Sequence, residues 1–176
     1  ALMSTRAFIT GVSGTELTAA EREFIRAERP WGFILFKRNI ATPAQVAALV
    51  AELRAVANAP DAPVLIDQEG GRVQRLGPPH WPVYPPGAVF ANLYDSDSAL
   101  GLTAARLSAR LIAADLTDLG ITVDCLPLAD VPVKGADAVI GNRAYGTEPG
   151  KVAAIARAVT EGRGPGGGLP VLKAIH

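Results

Sequence analysis

Short apolar runs alternate with helix-forming segments along the whole chain, and this alternation limits the possible folds more than any other feature. The predicted strands cover residues 6–12, 31–39, 64–67, 121–130 and 169–176. The predicted helices between them cover residues 18–28, a segment beginning at 42, then 98–119 and 147–161. A βαβαβαβαβ order of this kind predicts an α/β fold with a mostly parallel sheet and helical crossovers.

The starts of the first two helices carry clear capping signals. Thr18 is followed three residues later by Glu21, and Thr42 is followed by Pro43 and then Gln45. A threonine N-cap with Glu or Gln three residues on predicts a capping box, and proline is favoured at the first helical position. Both helices are therefore predicted to begin at these threonines.

A Pro-rich stretch at 77–90 interrupts the alternation and is too long for a simple turn. It is predicted to be irregular, with Trp81 buried as a packing plug rather than stacked on a ligand.

Two architectures fit the rest of the pattern. One is a five-stranded doubly wound sheet; the other is a (β/α)₈ barrel, which typically needs about 250 residues, so that this chain would hold about five of its strands. In both folds, function collects beyond the carboxyl ends of the strands.

Composition excludes several classes of function. The chain has 17 basic and 17 acidic residues, so neither nucleic acid nor an anionic membrane is expected as a partner, and no apolar run is long enough to span a bilayer. Two histidines are too few for a His/Cys metal cluster, and no Gly-rich phosphate loop opens a helix, so no metal or cofactor is expected.

The single cysteine, Cys125, is predicted to be a buried inert thiol. The start of the chain has no secretory pattern, and a cytoplasmic location is expected.

Charged residues gather where the predicted strands end. Polar strand ends occur at residues 37–39, 67–69, 130 and 173, and Arg72 and Arg75 follow the third strand. A ring of this kind suits a neutral polyhydroxylated ligand, because carboxylates accept hydroxyl protons while Arg and Lys donate. The alternative is that these charges only pair with one another.

Three roles are possible for Asp67 from the sequence: a catalytic acid, a ligand-binding residue, or an ion-paired residue at the end of a strand. Glu69 would lie on the same side of an extended segment, close to the spacing of a catalytic carboxyl pair. However, Gly70 and Gly71 indicate a turn directly after Glu69, and nearby arginines lower a carboxyl pKa, which is unsuited to a general acid near neutrality. A binding role for Asp67 is favoured, with Glu69 and Arg72 bracing the glycine turn.

Four motifs now carry a family resemblance. In order they are LIDQEGGRVQRL (65–76), PLADV (127–131), IGNRAYG (140–146) and LPVLK (169–173). Together they closely resemble the N-terminal part of the β-N-acetylglucosaminidases of glycoside hydrolase family 3, bacterial enzymes that trim N-acetylglucosamine from cell-wall fragments in peptidoglycan recycling. The resemblance implies a (β/α)₈ barrel, with residues 1–176 forming the N-terminal part of one domain, and a retaining mechanism through a covalent glycosyl-enzyme intermediate.

The resemblance also implies roles for individual residues. Asp67 and Arg75 would hold sugar hydroxyls, and Arg143 and Lys173 would complete the pocket. In the family the lysine is followed directly by a histidine, whereas here two other residues intervene before His176. His176 is either that histidine displaced by two places or an unrelated one, and it is the one candidate for a catalytic residue in the chain.

The segments that carry the family's acid/base histidine and aspartate nucleophile have no counterpart before residue 176. The chain is therefore expected to be a fragment that binds an N-acetylglucosamine-containing saccharide but does not hydrolyse an N-acetylglucosaminide. Two other classes stay open: a non-catalytic sugar-binding or scaffold protein, and a complete small doubly wound domain that binds another polar metabolite.

Overall fold

Five parallel strands form the centre of the computed structural model, which describes residues 5–133, 135, 138–164 and 168–174. The strands are β1 (Arg6–Thr10), β2 (Pro30–Leu35), β3 (Val64–Ile66), β6 (Val123–Asp124) and β7 (Leu169–Pro170). They lie side by side in this order, and each neighbouring pair is parallel. A two-stranded antiparallel hairpin, β4 (Gln68–Gly70) with β5 (Val73–Gln74), follows β3 directly.

Helices connect the strands of the sheet. They are α1 (Ala19–Glu28), α2 (Pro43–Ala57), α3 (Gly87–Ser96), α4 (Ser98–Asp118) and α5 (Pro149–Arg163), with single 3₁₀ turns at Lys37–Asn39 and Gly141–Arg143. Within the described ranges, no helix combines the length and apolarity needed to cross a membrane.

The order of the strands decides between the two predicted architectures. A doubly wound sheet reverses its strand order at a switch point, whereas consecutive strands of a (β/α)₈ barrel lie side by side in chain order. The five strands here follow chain order from β1 to β7 without a reversal. The barrel-type prediction is therefore confirmed, and the doubly wound alternative is wrong.

The two faces of the sheet bury different apolar clusters because side chains alternate along a strand. Phe33, Val64 and Ile66 pack with the helices in the main core, and each is at most 1% exposed. The alternate residues belong to a separate small cluster, which contains Leu65, Val123 and Cys125, packed against Ile34. Cys125 is buried as predicted, and burial raises the pKa of its thiol to about 11.

Local capping signals predicted the helix starts well. The Thr18 hydroxyl accepts a hydrogen bond from the Glu21 amide, and the Glu21 carboxylate accepts one from the Thr18 amide, which completes the predicted capping box. Thr42 also caps its helix. The Gln45 side-chain oxygen, however, accepts from the Ala41 amide, one residue before the expected partner.

Several predicted elements differ in the structure, among them the second strand and the Pro-rich stretch. The second strand ends at Leu35 because the buried Asn39 side chain turns the chain: its oxygen accepts from the Phe36 amide, and its nitrogen donates to the Val12 carbonyl. The irregular stretch 77–90 is shorter than predicted, since α3 begins at Gly87. Trp81 is 7% exposed and fills the loop, as predicted.

Helices α4 and α5 pack so closely that Gly162→Ala is expected to destabilise the protein by about 1–3 kcal/mol. A Cβ at Gly162 would lie 2.2 Å from the Arg106 carbonyl oxygen and 3.0 Å from the Ala109 Cβ. Helix propensity alone predicts the opposite sign, because alanine is favoured over glycine by about 1 kcal/mol within a helix. Urea denaturation measures the change.

Gly14→Ala is the matched control for this prediction. The closest atom that a Cβ at Gly14 would meet is 4.0 Å away, so the substitution is expected to leave the free energy of unfolding nearly unchanged. An increase in stability for Gly162→Ala would show that the two helices can move apart without loss.

Candidate functional site

The hairpin after β3 presents two carboxylates on one side of the chain. Asp67 joins β3 to β4, and Glu69 lies within β4. Side chains alternate along extended backbone, so these two face together while Gln68 between them points the other way. The chain then turns at Gly70 and Gly71, whose φ angles are 95° and 58°. A Cβ at Gly70 would lie 2.4 Å from a backbone oxygen, so this turn requires glycine, as predicted.

Lys173 and Arg75 converge on the Asp67 carboxylate. Lys173 Nζ donates to Asp67 Oδ1 at 2.9 Å, and Arg75 Nη2 donates to Asp67 Oδ2 at 3.1 Å. Lys173 also donates to Glu69 Oε1 at 2.5 Å, so its ammonium group bridges the two carboxylates. The backbone of Lys173 forms a parallel bridge with Leu128, which places it at the carboxyl end of the sheet.

Arg143 completes this group through Glu69. Its Nε and Nη2 atoms donate to the two oxygens of Glu69, each at 2.8 Å, in a bidentate pair. The structure thus brings the four residues predicted for the site, Asp67, Arg75, Arg143 and Lys173, into one group with Glu69. We call these five residues the strand-end cluster.

The structure corrects the interpretation of Glu69 and Arg72 as braces of the glycine turn. Glu69 is 8% exposed and binds both Arg143 and Lys173. Arg72 Nη2 donates to three successive carbonyls, those of residues 138–140, and so holds the loop that precedes Arg143. The i, i+2 spacing of Asp67 and Glu69 was the signal that could have placed Glu69 in the cluster.

The charges of the cluster fix its protonation. Partial burial by itself raises the pKa of the Asp67 carboxyl, but the hydrogen bonds and charges of Lys173 and Arg75 outweigh it and hold the pKa below its usual range. Burial also raises the pKa of Glu69, but Arg143 and Lys173 outweigh it, so the net effect is a lowered pKa. Burial lowers the pKa of the Lys173 ammonium, but the hydrogen bonds and charges of Glu69 and Asp67 outweigh it and raise the pKa above its usual value. Both acids are therefore carboxylates at neutral pH, suited to accept hydrogen bonds and unsuited to donate a proton.

Part of the cluster remains accessible. The side chains of Asp67, Arg75 and Lys173 are 19%, 26% and 25% exposed, whereas that of Glu69 is 5% exposed. A ligand can therefore reach Asp67 and its two cations, while Glu69 lies behind them. The His176 prediction falls outside the described residues. Among the residues that are described, no group of three or more His, Cys, Asp or Glu could hold a metal ion.

Two curated proteins resemble this chain closely. The Beta-hexosaminidase of Xanthomonas campestris pv. campestris (strain B100) is 39% identical over 153 residues, which cover 87% of this chain and 45% of that protein. The Beta-hexosaminidase of Stenotrophomonas maltophilia (strain K279a) is 38% identical over 154 residues, covering 88% and 45%. The chain thus spans less than half the length of these relatives.

Solved structures share the fold. NagZ from Neisseria gonorrhoeae, crystallised with N-trifluoroacetyl-D-glucosamine, superposes with a TM-score of 0.89 at 31% identity, covering 96% of this chain and 49% of that one. A glycoside hydrolase family 3 beta-N-acetylglucosaminidase from Paenibacillus sp. gives a TM-score of 0.83 at 32% identity, covering 94% and 31%.

A family model matches almost the whole sequence. Residues 6–173 correspond to the glycosyl hydrolase family 3 N terminal domain, a span that includes β1 to β7 and every member of the strand-end cluster. The strand order, the paired-glycine turn and the four motifs agree with that match. The chain belongs to glycosyl hydrolase family 3.

Proposed function

We propose that this chain is the sugar-binding N-terminal part of a retaining glycoside hydrolase that removes terminal β-linked N-acetylglucosamine from cell-wall muropeptides. The observation that carries the proposal is the accessible Asp67 carboxylate, held between Arg75 and Lys173 at the carboxyl end of a parallel sheet. The names of the relatives support the activity, and the sugar analogue in the NagZ crystal supports the class of ligand.

The cluster has the chemistry that a sugar ring requires. An ionised carboxylate only accepts hydrogen bonds, and each oxygen accepts more than one. The described contacts use one bond on each Asp67 oxygen, so two adjacent sugar hydroxyls can donate to the same carboxylate. Lys173 and Arg75 then donate to ring or hydroxyl oxygens, and charge-assisted bonds of this kind are the stronger class. Arg143 extends the donor surface from the far side of Glu69.

The cluster itself supplies no proton donor, because both of its carboxyl pKa values are lowered. We therefore propose that the acid/base group of the enzyme lies outside the strand-end cluster. The protein is proposed to act in the cytoplasm, a reducing compartment in which the free Cys125 thiol stays reduced.

Calorimetry with N-acetylglucosamine tests the binding role of Asp67. Asp67→Ala is expected to weaken binding at least on the order of 100-fold, because it removes two hydrogen bonds to a charged group, and even about 1.5 kcal/mol for each gives about 3 kcal/mol together. Asp95→Ala is the matched control: Asp95 also pairs with a lysine, Lys151, but lies outside the cluster. Equal affinity for the wild type and Asp67→Ala would contradict the assignment.

An assay with an aryl N-acetylglucosaminide tests whether the 176-residue chain can hydrolyse such a compound by itself. The 176-residue chain is expected to show no hydrolysis, and turnover that disappears in Asp67→Ala would overturn this expectation. A non-catalytic sugar-binding or scaffold protein would show the same binding without hydrolysis. The intact mass of the protein from its source separates these two cases, since an enzyme of this family would approach the length of its relatives.

A further inference from the structure

We propose that Gln68 is a positioning residue that holds the Arg75 guanidinium against Asp67 and so shapes the ligand-facing edge of the strand-end cluster. The inference concerns a residue that faces away from the ligand and acts through the backbone of Arg75. The expected effect of Gln68 on sugar affinity rests on the proposed function, whereas its expected effect on the Asp67–Arg75 ion pair does not.

The Gln68 side chain is fully buried and makes three hydrogen bonds to one short segment. Its Oε1 accepts from the amides of Arg75 and Leu76 at 2.9 and 3.0 Å, and its Nε2 donates to the Leu76 carbonyl at 2.9 Å. The side chain is 0% exposed. These bonds fix the backbone from which the Arg75 side chain leaves, directly across the hairpin from Asp67.

The backbone of Gln68 is fixed to the sheet as well. Its amide donates to Asp124 Oδ1 at 3.0 Å, and Asp124 Oδ2 accepts from Arg163 Nη1 at 2.9 Å. Asp124 lies on β6, and Arg163 ends α5. Gln68 therefore joins the segment that carries the two carboxylates to the segment that carries Arg75, with the buried Asp124–Arg163 pair as its support.

A buried amide that only filled space would lower the stability of the protein. An unpaired buried amide or a broken hydrogen bond costs about 1–3 kcal/mol, while methionine would fill a similar volume without polar groups. One of the three bonds goes to the Arg75 amide and two go to the Leu76 backbone, so the Gln68 side chain holds the chain on both sides of the Arg75 Cα. Gln74 donates to the same Leu76 carbonyl, but its other two bonds hold the outer loop through Tyr84 and Pro82.

A double-mutant cycle tests the inference. Gln68→Met is made in the wild type and in Arg75→Ala, and two quantities are measured: the Asp67 carboxyl pKa by NMR titration without ligand, and the Kd for N-acetylglucosamine by calorimetry. In the wild type, Gln68→Met is expected to raise the Asp67 pKa and weaken binding about tenfold. In Arg75→Ala it is expected to change neither, because the group through which Gln68 acts is already gone.

Two further variants keep the result interpretable. Gln45→Met removes an amide that also makes three hydrogen bonds, to Thr15, Asn39 and Ala41, and it is expected to leave both quantities unchanged. Gln68→Asn keeps both an acceptor and a donor but is one methylene shorter, so it reaches the backbone of Arg75 and Leu76 less well. It is expected to change both quantities in the same direction as Gln68→Met but by less, and it serves as the test variant if Gln68→Met does not fold.

The outcomes are distinct. Equal losses of affinity from Gln68→Met in the two backgrounds, or an unchanged Asp67 pKa in the wild type, would overturn the positioning role. If the wild type binds no sugar while the Asp67 pKa responds as expected, the proposed function fails and the positioning role stands.

Discussion

Replacing Arg163 with methionine is expected to lower the free energy of unfolding by about 3–5 kcal/mol, the usual effect of removing one partner of a buried ion pair. The side chains of Arg163 and Asp124 are 1% and 0% exposed. Burial raises the pKa of Asp124, and the Arg163 charge opposes that rise. The pKa of Asp124 is already raised to about 7 in the folded protein, and without Arg163 the folded state binds this proton still more readily than the unfolded state. The loss is therefore expected to be greatest above neutral pH and to shrink as the pH falls, as measured by urea denaturation.

Two variants serve as controls for this prediction. Arg106→Met removes an exposed pair with Glu161, whose side chains are 41% and 50% exposed, and is expected to cost less than about 1 kcal/mol. The double variant Asp124→Asn with Arg163→Met keeps an acceptor for the Gln68 amide but buries no charge, so it is expected to recover most of the lost stability. An Arg163→Met loss no larger than that of Arg106→Met would contradict the prediction.

Lys173→Met is expected to weaken binding of N-acetylglucosamine on the order of 100-fold, through loss of charge-assisted bonds to Asp67 and Glu69 and of a donor to the ligand. The substitution leaves two neighbouring carboxylates without their shared cation, so the pKa of at least one of them rises. In the wild type both pKa values are lowered, and affinity is expected to be constant from about pH 8 to pH 5. In the variant, affinity is expected to fall with pH as an acceptor becomes protonated.

Lys151→Met is the matched control for Lys173→Met. Lys151 also binds a carboxylate, that of Asp95, with two contacts of 2.9 Å, but it lies on α5 outside the cluster. Its loss is expected to leave both the affinity and its pH dependence unchanged. Calorimetry at several pH values measures these effects, and a pH-independent affinity for Lys173→Met would show that the lysine does not control the state of the carboxylates.

Sequence alone predicted the elements that are stabilised locally. The start of α1 was predicted because Thr18 and Glu21 form their capping box within one turn. The start of α3 was missed because Pro86 and Gly87 are typical of a turn, and no side chain caps this helix. The fourth strand was predicted over 121–130 from its apolar run, yet only Val123–Asp124 pairs as a strand, since pairing depends on the neighbouring strand as well as on composition.

The candidate site shows the same division between local and distant interactions. Asp67 and Arg75 lie eight residues apart on one hairpin, and their pairing agrees with the sequence pattern. Glu69 was misread because its nearest neighbours suggest a turn, while its bidentate partner Arg143 is 74 residues away. The support of Gln68 by Asp124 has no local signal, because these two residues lie 56 positions apart on different strands.

The bridge from Lys173 to Asp67 and Glu69 has a consequence for how the molecule opens and closes. Asp67 and Lys173 are 106 residues apart, so their contact closes a long loop and forms only after β7 has docked on β6. A ligand held by both residues would bind only the docked state and would shift the equilibrium toward it by mass action. The backbone amides of Val171 and Lys173 donate to the carbonyls of Asp124 and Pro127. Slower hydrogen exchange of these two amides when the ligand is bound would show that the ligand stabilises the docked state. A bound sugar would then stabilise the docked position of β7 in addition to occupying the strand-end cluster.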